Sequence, residues 1–203
     1  MRPLSLLILL LILTACNSDR KRPIKGESDY QISQNNIFKD GSKSPLKKKD
    51  LKNFKGLDFY PVDSNYVVKA SITLYEDSPI FEMATTTDRK PLYREYGLLK
   101  FQIDTISCQL TVYQNIDDLQ QEETENLLFL PFTDDTSGNG SYGGGRYMDL
   151  KTTDIKEDNT LLLNFNNTYN PYCAYNEMYS CPLTPRKNHL NVEIKAGIKD
   201  FNK

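Results

Sequence analysis

The sequence has no tryptophan, one histidine (His189), four cysteines and ten glycines in 203 residues. These scarcities exclude several kinds of chemistry. With a single His there is no di-histidine metal site, and without Gly-x-Ser-x-Gly a serine hydrolase has no residues to work with. No dinucleotide fingerprint and no internal repeat occurs. Neither charge is in excess. The 25 Lys/Arg and 27 Asp/Glu give a net −2, which argues against a generic nucleic-acid binder. Only residues 4–13 form a long apolar run, so a multi-span membrane protein is excluded. The 38 % hydrophobic and 26 % charged residues suit one folded domain.

What is present is unevenly spread. The apolar run follows Arg2 and is shorter than the ~20 residues of a membrane span. It suits the h-region of a signal peptide. It ends in Leu13-Thr14-Ala15-Cys16, which resembles the lipobox of bacterial lipoproteins. The resemblance implies that Cys16 becomes the first mature residue and carries a diacylglyceryl group on its sulfur. Residues 16–27 are polar and charged and read as a flexible tether. Asn17 is not the Asp of the enteric inner-membrane retention rule, which points to the outer membrane. The expected organisation is a signal peptide over 1–15, a tether over 16–27 and a single domain over 28–203 in the cell envelope. Charge is divided in the same way: residues 16–55 carry a net +6 and residues 56–203 a net −9. An anionic lipid surface attracts such a stem by ~1 kcal/mol per basic residue close to it, and repels the acidic domain.

The period of the hydrophobic pattern changes along the chain. Residues 28–40 and 44–55 read as two short helices, with Ser28 and Ser44 as N-caps and Pro45 in the first helical position. From residue 66 the period is two. Tyr66, Val68, Ala70, Ile72 and Leu74 alternate with polar neighbours, and so do Leu99, Phe101 and Ile103, then Ile106, Cys108, Leu110 and Val112. Further strands are expected at 80–86, 127–132, 146–151, 160–165 and 190–196. Thirteen Tyr fit a half-exposed β surface. The expected fold is mainly β: an antiparallel sandwich or barrel-like sheet with one or two short N-terminal helices.

If Cys16 is lipidated, three cysteines remain. Cys173 and Cys181 are close in sequence, share a Pro/Tyr/Asn-rich loop and form the natural disulfide pair, worth ~2–3 kcal/mol. Cys108 reads as a buried free thiol.

A distinctive pattern occupies the last two-fifths of the chain. It runs through Pro131-Phe132-Thr133-Asp134-Asp135-Thr136-Ser137-Gly138, Tyr142-Gly143-Gly144-Gly145-Arg146-Tyr147-Met148-Asp149-Leu150, Asn170-Pro171-Tyr172-Cys173-Ala174-Tyr175, Cys181-Pro182-Leu183-Thr184-Pro185 and Asn188-His189-Leu190. Phe54-Lys55-Gly56-Leu57-Asp58-Phe59-Tyr60-Pro61 and Tyr93-Arg94-Glu95-Tyr96-Gly97 belong with it. The whole resembles the bacterial and archaeal family called domain of unknown function 1684, over roughly residues 30–201. The resemblance implies no established activity. That family has members without a signal peptide, and if those keep both loop cysteines, a disulfide is not the whole reason for them.

Two segments are candidate sites. Residues 133–146 hold Asp134, Asp135, Tyr142, five glycines including Gly144, and Arg146. Such a loop either turns amides toward an anion that Arg146 clamps, or is an irregular hairpin loop in which Gly supplies positive φ. The acidic pair lacks EF-hand spacing. Residues 166–189 form a long irregular segment, and loops of that length in a compact domain are commonly functional. Asn166, Asn170, Tyr175 and His189 are its candidate ligand contacts, with Tyr169, Tyr172 and Asn176 beside them. Cys173, Cys181 and His189 offer three zinc ligands at spacings that fit no standard finger, so no metal and no cofactor are expected.

The residues favour a non-catalytic, membrane-anchored envelope domain that presents these loops to a small ligand or an envelope protein, and no nucleic acid. The alternative is an enzyme of a small polar or anionic substrate, using Arg146 with Asp135, Cys173 or His189. The anchor has a direct test. Cells expressing the chain are predicted to incorporate labelled palmitate into it, and Cys16→Ser to abolish the label; a Cys16→Ser chain that still takes it up would defeat the anchor.

Overall fold

The computed structural model describes residues 26–201. The expected signal peptide, Cys16 and most of the tether lie outside the described residues.

Eight strands form one sheet, antiparallel except at β8, curled into a half-barrel. They are β1 (Val67–Leu74), β2 (Phe81–Glu82), β3 (Leu92–Ile103), β4 (Ile106–Asn115), β5 (Leu127–Asp134), β6 (Arg146–Lys151), β7 (Thr160–Asn164) and β8 (His189–Leu190). The order across the sheet is β6-β5-β4-β3-β1-β7; β2 adds to β3, and β8 runs parallel to β5. Alternation decides which side chains fill the concave face. Ala70 and Ile72, Leu99 and Phe101, Leu110 and Val112, Leu128 and Leu130, Met148 and Leu150, and Leu161 and Leu163 all meet in one core. Leu162, between two of them, is 57 % exposed. At ~25 cal/mol per Å² of apolar surface removed from water, this face is the main driving force of the fold.

The hairpin of β3 and β4 turns through Asp104, whose φ of 51° lies in the left-handed region that Asp tolerates. Upstream, β3 carries a bulge between Glu95 and Gly97. Gly97 is needed there because a Cβ would stand 2.8 Å from the Thr73 carbonyl of β1.

Some expected elements differ from the observed ones. The strand expected at 80–86 pairs only over Phe81–Glu82, because residues 84–86 turn to hydrogen-bond Cys181 and Leu183 instead. The strand expected at 190–196 ends at Leu190; beyond it Ile194 and Ala196 plug the half-barrel and meet a side chain rather than a strand. The first helix, α1 (Asp29–Lys39), begins where expected, and the Ser28 hydroxyl accepts from the Gln31 amide at 3.3 Å. The second, α2 (Lys48–Lys52), is a single turn. Ser44 accepts from the Leu46 amide and holds a turn before the helix rather than capping it. Phe38 of α1, Leu51 of α2 and the flanking Leu46 and Phe54 form a second cluster with Tyr175, Ile198 and Phe201.

Strands β4 and β5 share only one ladder position, Tyr113 opposite Phe129. Farther along, the gap between them is filled by Asn188, which is wholly buried. Its amide group donates to the carbonyls of Thr111 (2.8 Å) and Pro131 (2.7 Å), and its oxygen accepts from the Thr111 amide (2.9 Å). One side chain thus supplies the pairing that two separated strands lack. Asn188→Ala leaves these groups unpaired inside the protein, and urea unfolding is expected to show a loss of about 3–5 kcal/mol.

Candidate functional site

The Gly-rich loop is held by its own groups. Asp134 ends β5 with its carboxylate fully buried. Its Oδ1 accepts from the Thr136 amide (2.6 Å) and hydroxyl (2.5 Å), and its Oδ2 from Arg146 Nη2 (2.5 Å). Within the loop, the amides of Gly138, Asn139 and Ser141 donate to loop carbonyls. They face inward and form no outward cradle for an anion. Gly145 takes φ of 93°, and a Cβ there would come within 2.6 Å of the Phe132 carbonyl.

Arg146 has no solvent exposure. Besides Asp134, it donates to the carbonyls of Ile194 (2.8 Å), Ala196 (2.5 Å) and Ile198 (3.3 Å), and its guanidinium lies 5.3 Å from the centre of the Phe132 ring. Four of its five N–H donors are therefore committed inside the protein. Such a group clips the C-terminal segment to β6; in this conformation it presents nothing to an external anion.

The remaining expected residues lie apart from it. Asp135 and His189 meet on the surface, with Nε2 to Oδ1 at 3.6 Å, and His189 Nδ1 shares a 3.0 Å hydrogen bond with the Thr133 hydroxyl. Asn166 is buried and exchanges hydrogen bonds with both backbone groups of Asp63. Asn170 is buried and donates to the Lys199 carbonyl (2.8 Å) and toward the Tyr175 hydroxyl. Tyr175 packs edge-on against Phe38. Gly144 is exposed, with its carbonyl accepting from Thr184. Tyr142 stands beside Cys173. Arg146, Asp135 and His189 do not share a pocket. Cys173 and Cys181 do come together, as two unbridged thiols, and Cys108 is a buried free thiol.

A cleft of about 510 Å³ opens on the other face of β6. Because side chains alternate along a strand, Arg146, Met148 and Leu150 point inward while Tyr147 and Asp149 point into this cleft. Tyr169, Tyr172 and Tyr179 from the irregular segment and Tyr30 from α1 complete an aromatic wall. Tyr172 and Tyr179 meet edge to face at 5.2 Å. The Tyr169 hydroxyl donates to Asp149 Oδ1 at 2.6 Å. Among the described residues Asp149 is in no ion pair, and no Lys or Arg lines the cleft. The guanidinium of Arg89 donates to the hydroxyl and carbonyl of Ser180, a residue of the cleft lining.

The electrostatics follow from this crowding. Asp149 is exposed in the mouth of the cleft, yet the groups crowded around it raise its carboxyl above the usual range, while the Tyr169 hydroxyl pulls it back. Tyr30, Tyr147 and Tyr169 are each held neutral by burial, with the Asp149 charge adding to the effect at Tyr30 and Tyr169. The Tyr30 hydroxyl is buried without a hydrogen-bond partner.

Residues 52–199 match the family model described as protein of unknown function, DUF1684. The chain belongs to that family. The DUF1684 match begins within α2, so α1 and its Tyr30 precede it. The chain is also similar to an uncharacterized protein of the archaeon Haloarcula marismortui, whose solution NMR structure shares 32 % sequence identity, covers 83 % of this chain and 89 % of its own, and superimposes with a TM-score of 0.65. No curated protein matches the chain.

The Tyr169–Asp149 hydrogen bond carries a prediction of sign. That bond lowers the Asp149 pKa, so Tyr169→Phe is expected to raise it further, read by carbon-13 titration of the Asp149 carboxyl; an unchanged or lower value would contradict the arrangement.

Proposed function

We propose that this DUF1684 domain is a non-catalytic binding module, and that its site is the tyrosine-walled cleft over Asp149. The observation that carries the reading is a lone carboxylate among aromatic rings, with no basic residue beside it. A carboxylate and π-faces together attract an organic cation: rings stabilise ammonium groups by ~2 kcal/mol or more when water is excluded. An amine or quaternary ammonium suits the cleft better than an anion. The enzyme reading that depends on Arg146 is weakened, since that side chain is committed inside the protein.

The module is read as anchored in the cell envelope through lipid on Cys16, on the outer membrane in preference to the inner. Lys39, Lys48 and Lys52 gather around Leu51 and Phe54 at the helical end. That end follows the tether in sequence, and its charge suits an anionic lipid surface while the acidic β domain faces outward.

The binding site is tested by calorimetry with tetramethylammonium, and with phosphate as the anionic comparison. Tetramethylammonium is expected to bind and phosphate not to. Asp149→Asn should weaken the cation about tenfold, the equivalent of ~1.4 kcal/mol. A cation needs the ionised carboxylate, so affinity is full above the raised Asp149 pKa and fades as pH falls through it, at a higher pH than an ordinary Asp would give. Binding of phosphate and not of tetramethylammonium would overturn the reading.

A further inference from the structure

At one rim of the cleft lies a cluster that ligand binding does not use. Cys173 and Cys181 are unbridged neighbours, and the Cys173 amide donates to Cys181 Sγ at 3.2 Å. Two features separate the partners. Cys173 is half-buried, with the Tyr142 side chain beside it. Cys181 is 7 % exposed and held on both sides by Thr86, which accepts from its amide (3.1 Å) and donates to its carbonyl (2.9 Å). The two sulfurs therefore differ in access: Cys173 lies on a half-open face, and Cys181 is packed behind it. Donation from Cys181 brings the Cys173 thiol down to about 7, and the same shared proton, with burial, pushes Cys181 far up.

We propose that Cys173 and Cys181 form a thiol–disulfide exchange site, with Cys173 as the attacking thiolate and Cys181 as the resolving thiol. The substrate class is a small-molecule disulfide. The Cys173 thiolate attacks one sulfur of the disulfide, whose S–S bond breaks. One thiolate leaves and takes a proton from water, and a mixed disulfide remains on Cys173. Cys181 then gives up its proton to solvent and attacks the Cys173 sulfur, expelling the second thiolate, which is protonated in turn. The two cysteines have lost two electrons and two protons and become a disulfide; the substrate has become two thiols. The asymmetry of the pair makes the direction of attack specific. A purely architectural disulfide does not need the half-open face of Cys173.

The test uses the full-length chain in detergent with Cys16→Ser, reduced and then exposed to oxidised glutathione. The reaction is quenched with acid and read by mass spectrometry with peptide mapping. The parent chain is expected to lose two hydrogens, with the new bond between Cys173 and Cys181 and no glutathione retained. Cys181→Ser should trap glutathione on Cys173. Cys173→Ser should leave Cys181 unmodified or react at least about tenfold more slowly. Should either variant fail to fold, the parent chain decides: Cys173 must be modified at least about tenfold faster than Cys108 by a thiol-reactive disulfide dye. Three results would overturn the proposal. They are equal reactivity of the two single variants, no faster reaction at Cys173 than at Cys108, and a bridge in the isolated chain that dithiothreitol reduces only after urea unfolding.

Discussion

A guanidinium without solvent contact must find its hydrogen-bond partners inside the protein, and Arg146 finds four: one carboxylate and three carbonyls. Breaking up such a buried pair is far more damaging than its net contribution suggests, because the survivor is left charged in a medium that solvates it poorly. Asp134 uses its other oxygen to close the turn at Thr136, so the pair joins the two ends of the Gly-rich loop. The carbonyls of residues 194, 196 and 198 belong to the segment that plugs the half-barrel. Loop, strand β6 and C-terminal plug thus converge on one ion pair.

The same strand presents the candidate site on its opposite face. Arg146 and Met148 fix β6 from within, and Tyr147 and Asp149, one position out of phase, are thereby held rigidly in the wall of the cleft. The irregular segment is tied down independently. Asn166 holds Asp63, Asn170 holds Lys199, and Asn188 bridges β4 and β5. These asparagines do the work of secondary structure in a region that has little, and they leave Tyr169, Tyr172 and Tyr179 to line the cleft. The thiol pair sits where this segment meets residues 84–86, and Cys181 reaches the edge of the cleft.

Much of the fold was legible because alternation reports burial directly. In β1, β3, β4 and β7 most of the alternating apolar positions are those of the core, and the exceptions, Leu74 and Ile106, lie exposed at strand ends. The same signal misleads where an extended segment finds a partner other than a strand. Residues 190–196 alternate as a strand would, and Ile194 and Ala196 do point inward, but their carbonyls pair with Arg146. The second helix fell short because Lys47, not Ser44, stands at its start. For the site, residue chemistry was a weaker guide than parity. Arg146 beside five glycines suggests an anion clamp, yet it shares its phase with Met148 and Leu150 and belongs to the interior. Asp149 shares its phase with Tyr147, and that was the available sign of the cleft. Tyr30 gave no such sign, since its approach to Asp149 depends on how α1 packs.

The central claim is that Asp134 and Arg146 act as one structural unit. A double-mutant cycle in urea tests it most directly. Arg146→Met and Asp134→Leu are each expected to cost about 3–5 kcal/mol, and the double variant to cost at least about 2 kcal/mol less than their sum, because no uncompensated charge remains inside. Costs that add to within about 0.5 kcal/mol would show the two residues to be independent and would contradict the account.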